Sequence, residues 1–382
     1  MIVGEDGLHA PSQFDLLWGL PLIFSGAALV DTGSGCSLRK WARPFMPVQP
    51  ITQIKTRSRV VESYMPARRA TATEGCGRRD LLKAAAALLL SARDVWSDEK
   101  PVPKASLLKL GVTTQPYASL PLDRAVNEIK SAGFRGVLCN YTFADVRFDA
   151  LKPDWPAAEK IANAFQQQGI EIVAVFGYQN LVAPDPARRQ EARTRMENLI
   201  KNWRRLGCAN ISTETGTLNA KSQWLGSPEN ATEKAYLELR AVIGGLVKLA
   251  EKTGAVISIE AYWQNVIDSI DRAERLFRDI PSPALKLVMD PCNYLRKEDL
   301  SRQGAMLEEM FRRLGEKIVV AHAKDVAPAD DGTTLPAAGK GVLDYPLYLG
   351  LLARLGRPIH LLLEHVTLDD LPRAARFVRQ LL

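Results

Sequence analysis

The sequence is poor in the residues that build zinc clusters and disulfide frameworks: 382 residues hold five cysteines and four histidines. The cysteines stand at 36, 76, 139, 208 and 292. Their spacing fits no zinc or Cys-x-x-Cys pattern, and the last three cannot all pair with one another, so buried free thiols are expected. Four histidines, one of them His9, are too few for a histidine-rich multinuclear zinc site. No Gly-x-Gly-x-x-Gly or Walker-type loop follows the first strand candidate, which argues against nucleotide binding. Long apolar runs are missing too. Phe14 to Val30 is broken by Asp15, Pro21 and glycines, and Ala84 to Ala92 is far too short to span a bilayer, so no permanent membrane anchor is expected.

A strong charge bias is also lacking where it would matter. The net charge is +7, but residues 1–97 hold 12 Lys and Arg against 8 Asp and Glu, leaving 38 against 35 for the rest. The basic excess belongs mainly to the N-terminal part, and no nucleic-acid role is expected.

Residues 1–77 carry no sustained helical or strand periodicity and are expected to be a largely unstructured extension. Gly77-Arg78-Arg79-Asp80-Leu81-Leu82-Lys83 then runs into Ala84–Ala87, Leu88–Leu90, Ser91 and Ala92. A twin-arginine start, a short apolar core and small residues at its end make residues 78–97 resemble a Tat export signal. Such a signal works at an N-terminus, so translation is expected to begin downstream of Met1, at Met65 or Met46. The expected partner is the Tat machinery and the expected destination the periplasm, with the cytoplasm as the alternative.

From residue 104 to 382 the pattern is that of one domain. Strand candidates at 107–112, 136–139, 170–176, 209–213, 255–260, 285–290, 318–322 and 359–364 alternate with helix candidates. The helices are expected at 122–132, 156–168, 186–206, 233–253, 266–278, 300–314, 345–355 and 368–382. Alternating strands and helices predict a parallel sheet, and eight such units in about 275 residues predict a closed (β/α)8 TIM barrel.

Four polar residues share one address in such a barrel. Glu260 ends the fifth strand, Asp290 the sixth, His322 the seventh and Glu364 the eighth. Strand C-termini converge on one rim, where three carboxylates and an imidazole would repel one another without a cation. An oxygen-rich set with one histidine suits one divalent ion, Mn2+, Mg2+, Co2+ or Zn2+.

The chain here resembles the sugar phosphate isomerase/epimerase group of xylose-isomerase-like barrels. The motifs are Glu214-Thr215-Gly216-Thr217, Ile259-Glu260, Met289-Asp290-Pro291-Cys292-Asn293, His322-Ala323-Lys324-Asp325, Gly339 to Pro346 and Leu363-Glu364. The resemblance implies a metal that stabilises an enediolate, with Glu260 and Glu364 moving a proton between opposite faces of the substrate carbon. It implies that Lys324 balances the site or holds a substrate oxygen. Asn293 stands where related epimerases commonly have a histidine that contacts substrate; an amide can hydrogen-bond a hydroxyl but carries no charge.

Glu214 is expected either to contact substrate or to cap the Thr-Gly-Thr turn. Tyr141, Tyr178, Tyr262 and Trp263 are rim aromatics able to stack on a sugar. His360 belongs to the opposite end of its strand, and His365, next to Glu364, is expected to point away from it.

The expected activity is metal-dependent isomerisation or epimerisation of a sugar, sugar acid or cyclitol. The alternatives are a dehydratase using the same site and a non-catalytic exported carbohydrate-binding barrel. An endonuclease IV-like phosphodiesterase is disfavoured by the histidine count. The sequence leaves oligomeric assembly open.

Overall fold

Short runs of β-branched residues and leucine, each followed by an amphipathic stretch, can bury both faces only when helices cover the outside of a closed sheet. The computed structural model describes residues 107–330 and 332–382. In it β1 (Leu108–Thr113), β2 (Gly136–Cys139), β3 (Glu171–Phe176), β4 (Asn210–Glu214), β5 (Val256–Glu260), β6 (Leu285–Met289), β7 (Ile318–Ala323) and β10 (Ile359–Leu363) form a closed barrel. All neighbours pair in parallel, in the order β1-β10-β7-β6-β5-β4-β3-β2. Eight α-helices lie among the described residues: α1 (Leu122–Ser131), α2 (Trp155–Gln167), α3 (Pro186–Lys201), α4 (Glu233–Thr253), α5 (Ile270–Asp279), α6 (Gln303–Leu314), α7 (Tyr345–Arg354) and α8 (Leu371–Leu381). None of them is long and apolar enough to cross a membrane.

The proposed extension, the twin-arginine segment and Cys36 and Cys76 all lie outside the described residues. Cys139, Cys208 and Cys292 are buried free thiols, as the spacing predicts.

Two apolar layers result from the period-two alternation of the strands. Outward residues such as Ile257, Ile259, Leu287 and Leu361 join the large core beneath the helices. Inward residues Leu138, Ala174, Val288, Val320 and Leu362 fill the lumen. Closure depends on small residues. A Cβ at Gly111 would lie 2.3 Å from the Gly136 carbonyl oxygen and 2.6 Å from Leu362 Cδ2, so only glycine allows β1 this close to its neighbours. His360 lies low in the lumen, 2.6 Å from where a Gly136 Cβ would stand and 3.6 Å from Glu171, away from the strand C-termini.

Local capping chemistry moves several element boundaries from where the sequence pattern puts them. The helix expected from Val266 starts at Ile270, because Ser269 accepts a hydrogen bond from the Arg272 N–H. The charged helix expected to reach Leu206 ends at Lys201 and continues as a 3-10 turn, Trp203–Leu206, closed by Gly207 at φ +70°. The helix expected from Leu300 is a 3-10 turn, Lys297–Arg302, before α6 begins. A small antiparallel hairpin, β8 (Ala327–Ala329) with β9 (Gly332–Thr334), lies in the β7–α7 connection, where no strand is predicted.

Candidate metal centre

The alternation that fills the lumen also aims the polar residues. Two positions above Val288, Val320 and Leu362 stand Asp290, His322 and Glu364, and two above Ser258 stands Glu260. Each side chain therefore continues an inward-facing row past the apolar plug to the C-terminal mouth. On β4 and β5 the inward row is already polar one step below the mouth, where Ser212 and Ser258 are hydrogen-bonded at 2.8 Å.

Glu260, Asp290, His322 and Glu364 are buried at 2%, 0%, 1% and 4% exposure, and one ligand atom from each lies within 4.8 Å of all the others. His322 Nδ1 stands 3.4 Å from Glu260 Oε1, 3.5 Å from Asp290 Oδ2 and 3.3 Å from Glu364 Oε2. These gaps are too long for hydrogen bonds, and both imidazole nitrogens make none. Ligands about 2.1 Å from a shared cation lie roughly 3 Å apart when adjacent and about 4 Å apart when opposite. Four deeply buried ligand atoms at this spacing, three of them carboxylate oxygens and the fourth from an imidazole with no hydrogen-bond partner, fit a divalent ion. Asp290 is oriented for it: Oδ1 accepts from the Cys292 N–H at 3.1 Å, which leaves Oδ2 toward the cluster.

Lys324, two residues beyond His322 on the same inward row, is buried rather than on the surface. Its Nζ lies 2.8 Å from Asp290 Oδ2 and 3.0 Å from Glu364 Oε2. Burial alone would favour the neutral amine, but Asp290, Glu364 and Glu260 outweigh it and hold the ammonium well above its usual range. Burial likewise disfavours the Glu364 carboxylate, and His322 and Lys324 together hold it well below the usual range.

Glu260 is held by neighbours that the sequence did not pair with it. Asn293 Nδ2 donates to Oε1 at 2.6 Å, and the Tyr178 hydroxyl donates to Oε2. Glu214, in register with Glu260 on the next strand, faces the same cavity, and its Oε2 accepts from Asn265 Nδ2 at 3.3 Å. Burial, then the Glu260 charge, pushes its carboxyl well above the usual range. It does not cap the Thr-Gly-Thr turn. The Gly216 N–H donates to Asn265 Oδ1 and the Thr217 N–H to Asn180 Oδ1, so the turn is held by two asparagines.

Of the four aromatics, Tyr178 and Tyr262 line the cavity. Tyr141 does not: it packs edge-on to Phe148, its hydroxyl donates to the Leu206 carbonyl oxygen, and it belongs to the outer core. Trp263 packs against Tyr262 and under the Arg296 guanidinium. A further correction concerns His365. Strand alternation would send it outward, but it adopts φ +52°, which turns its ring back to the cavity beside Glu364, with Nδ1 2.8 Å from the Leu335 carbonyl oxygen. Leu335 itself has no sequence signal; it reaches the cavity only because the hairpin connection folds over the mouth.

A family model described as a xylose isomerase-like TIM barrel matches residues 126–381, and the chain belongs to that family. Among solved structures it is similar to the probable 3-DHS dehydratase AsbF of Bacillus anthracis (TM-score 0.56, 16% identity, 72% of this chain and 98% of that one). It is similar to 3-keto-D-glucoside 4-epimerase, YcjR, of E. coli (TM-score 0.54, 14% identity, 72% and 99%). A third is a xylose isomerase-like TIM barrel protein of Mycobacterium smegmatis in complex with magnesium (TM-score 0.54, 15% identity, 73% and 97%). At these identities the likeness is one of fold. A search of curated proteins finds no match to the chain.

Proposed function

We propose that this protein is a metal-dependent isomerase or epimerase of a sugar or sugar derivative, working through an enediolate. One observation carries the reading. Glu260 and Glu364 reach one cavity from β5 and from the end of β10, with Asp290 and His322 on the two strands between them. A divalent ion held by these four residues would supply electrophilic stabilisation of the negative charge that develops on a hydroxy-carbonyl substrate.

The chain's own groups supply the proton chemistry. Glu260 and Glu364 flank the carbon beside the carbonyl, one removing its proton and the other returning it from the opposite face. Asn293 and Tyr178 fix both oxygens of Glu260, and Lys324 fixes Glu364, so neither carboxylate has to be oriented when substrate arrives. Glu214 and Tyr262 border the substrate space.

Proton exchange tests the reading directly. Metal-loaded protein in D2O should place deuterium at the carbon beside the carbonyl of a keto-sugar, followed by NMR. Glu364→Gln should slow this by about 10²- to 10⁴-fold while sugar binding survives. Full exchange in that variant would remove Glu364 from the chemistry, and no exchange with any sugar would leave a binding barrel. Product mass separates an isomer from the water loss of a dehydratase.

The reading includes export by the twin-arginine route, supported by Arg78-Arg79 and the apolar residues that follow. Replacing both arginines by lysine should retain the precursor in the cytoplasm; unchanged fractionation would reject it.

A further inference from the structure

Two small neighbouring voids lie at the C-terminal mouth of the barrel. Glu260, Asn293, Lys324 and Glu364 border the first, Gln179, Asn180, Gln223 and Trp224 border the second, and Tyr178 and Glu214 border both. The second lies at the ends of β3 and β4, with the Tyr178 and Glu214 side chains between it and the first.

The lining offers little to an anion. Lys324 is its one lysine or arginine, and that ammonium already sits between Asp290 and Glu364. His365 has its Nδ1 against the Leu335 carbonyl oxygen. Glu260, Asp290 and Glu364 bring three formal negative charges, which a divalent ion and the Lys324 ammonium only balance. Glu214 adds a fourth carboxyl group.

The usual phosphate position of such barrels, the loops after the last two strands, is occupied from within. The backbone N–H groups of Val326 and Leu343 donate to Asp325 Oδ1, each at 2.9 Å, and that of Gly339 donates to Oδ2 at 3.0 Å. At the rim beside them, Lys340 lies 3.0 Å and Arg373 2.7 Å from the Asp370 carboxylate. Donors and cations that could hold a phosphate are thus committed to the chain's own carboxylates. The second void is instead bordered by the Gln223 amide and the Trp224 indole, groups that suit hydroxyls and the C–H faces of a sugar, while the Gln179 and Asn180 side-chain amides donate to the Tyr178 and Thr217 carbonyl oxygens.

We infer that the site takes an uncharged polyhydroxylated carbonyl compound, a neutral keto-sugar or keto-cyclitol, and discriminates against its phosphorylated and carboxylated counterparts. This rests on the proposed function and narrows its substrate class.

Matched probes test it on the full metal-loaded protein: D-fructose with D-fructose 6-phosphate, and a neutral keto-cyclitol with a keto-acid of the same ring size. Binding is read by calorimetry and proton exchange by NMR in the same samples. The neutral member of each pair should bind at least about tenfold more tightly, since an anion would lose its hydration against a lining with no uncommitted lysine or arginine to pair with it. Gln223→Lys, which adds an ammonium to the second void, should tighten the anionic members and narrow or reverse the preference within each pair. A charged member that binds as well as its neutral partner overturns the inference, and so does binding by no member of either pair. Selective binding of the neutral members without exchange keeps the substrate class and removes catalysis. Exchange on the charged members alone keeps catalysis and removes the substrate class.

Discussion

His365 follows Glu364 directly, yet both side chains line one cavity, because His365 takes the left-handed conformation at φ +52° and its ring joins the loop that carries Leu335. A non-glycine residue there costs about 1 kcal/mol or more in backbone strain, which the surrounding contacts must offset.

A pH dependence follows from that position. Burial first, then Lys324, pushes the His365 ring down from 6.5 to about 4. The unfolded chain therefore binds more protons than the folded one between these values. The stability contributed by neutral His365 is complete above pH 6.5 and is lost as pH falls toward 4. His365→Gln should flatten the dependence of urea-unfolding stability over that window relative to wild type. An unchanged slope would show that the ring titrates normally in the fold.

The ion and the Lys324 ammonium address the same carboxylates, so each should change what the other does. Elemental analysis of the purified protein should find about one divalent ion per chain, absent from a Glu260→Ala/Asp290→Ala double variant. Lys324→Met should destabilise the metal-free protein by about 3–5 kcal/mol, because it leaves buried carboxylates without their partner. Added Mn2+ should then raise its Tm by more than it raises that of wild type. A smaller metal-induced rise in the variant would show that the lysine assists the ion rather than competing with it.

Asp325 anchors the cover of the site. Its buried carboxylate takes three backbone N–H groups of the β7–α7 connection, and a Cβ at Gly341 would approach Asp325 Oδ1 to 2.4 Å. Asp325→Ala should cost about 3 kcal/mol, given that hydrogen bonds to a charged group contribute about 1.5–3 kcal/mol each and that water recovers part of the loss. Limited proteolysis should cut between 326 and 343 in the variant first. Cleavage elsewhere, at the wild-type rate in this segment, would mean that the hairpin holds the loop without Asp325.

The barrel and the four clustered residues were legible in the sequence because both depend on local periodicity. A buried parallel strand is a short apolar run, and a residue at its C-terminal end has one address in a closed barrel. Glu260, Asp290, His322 and Glu364 each end such a run, so their convergence follows once the sheet closes. Strand and helix limits shifted by a few residues where capping side chains such as Ser269 decided the start.

What only the tertiary structure decided is the set of neighbours around those four. Tyr178 and Asn293 meet on Glu260 from different loops, and Tyr141, an equally plausible aromatic, turns into the outer core. The burial of Lys324 depends on the hairpin connection that closes the mouth, and the inward turn of His365 on one positive φ. Periodicity sets which face of a strand a side chain takes. Contacts between loops distant in sequence set what that side chain touches, and no local pattern encodes them.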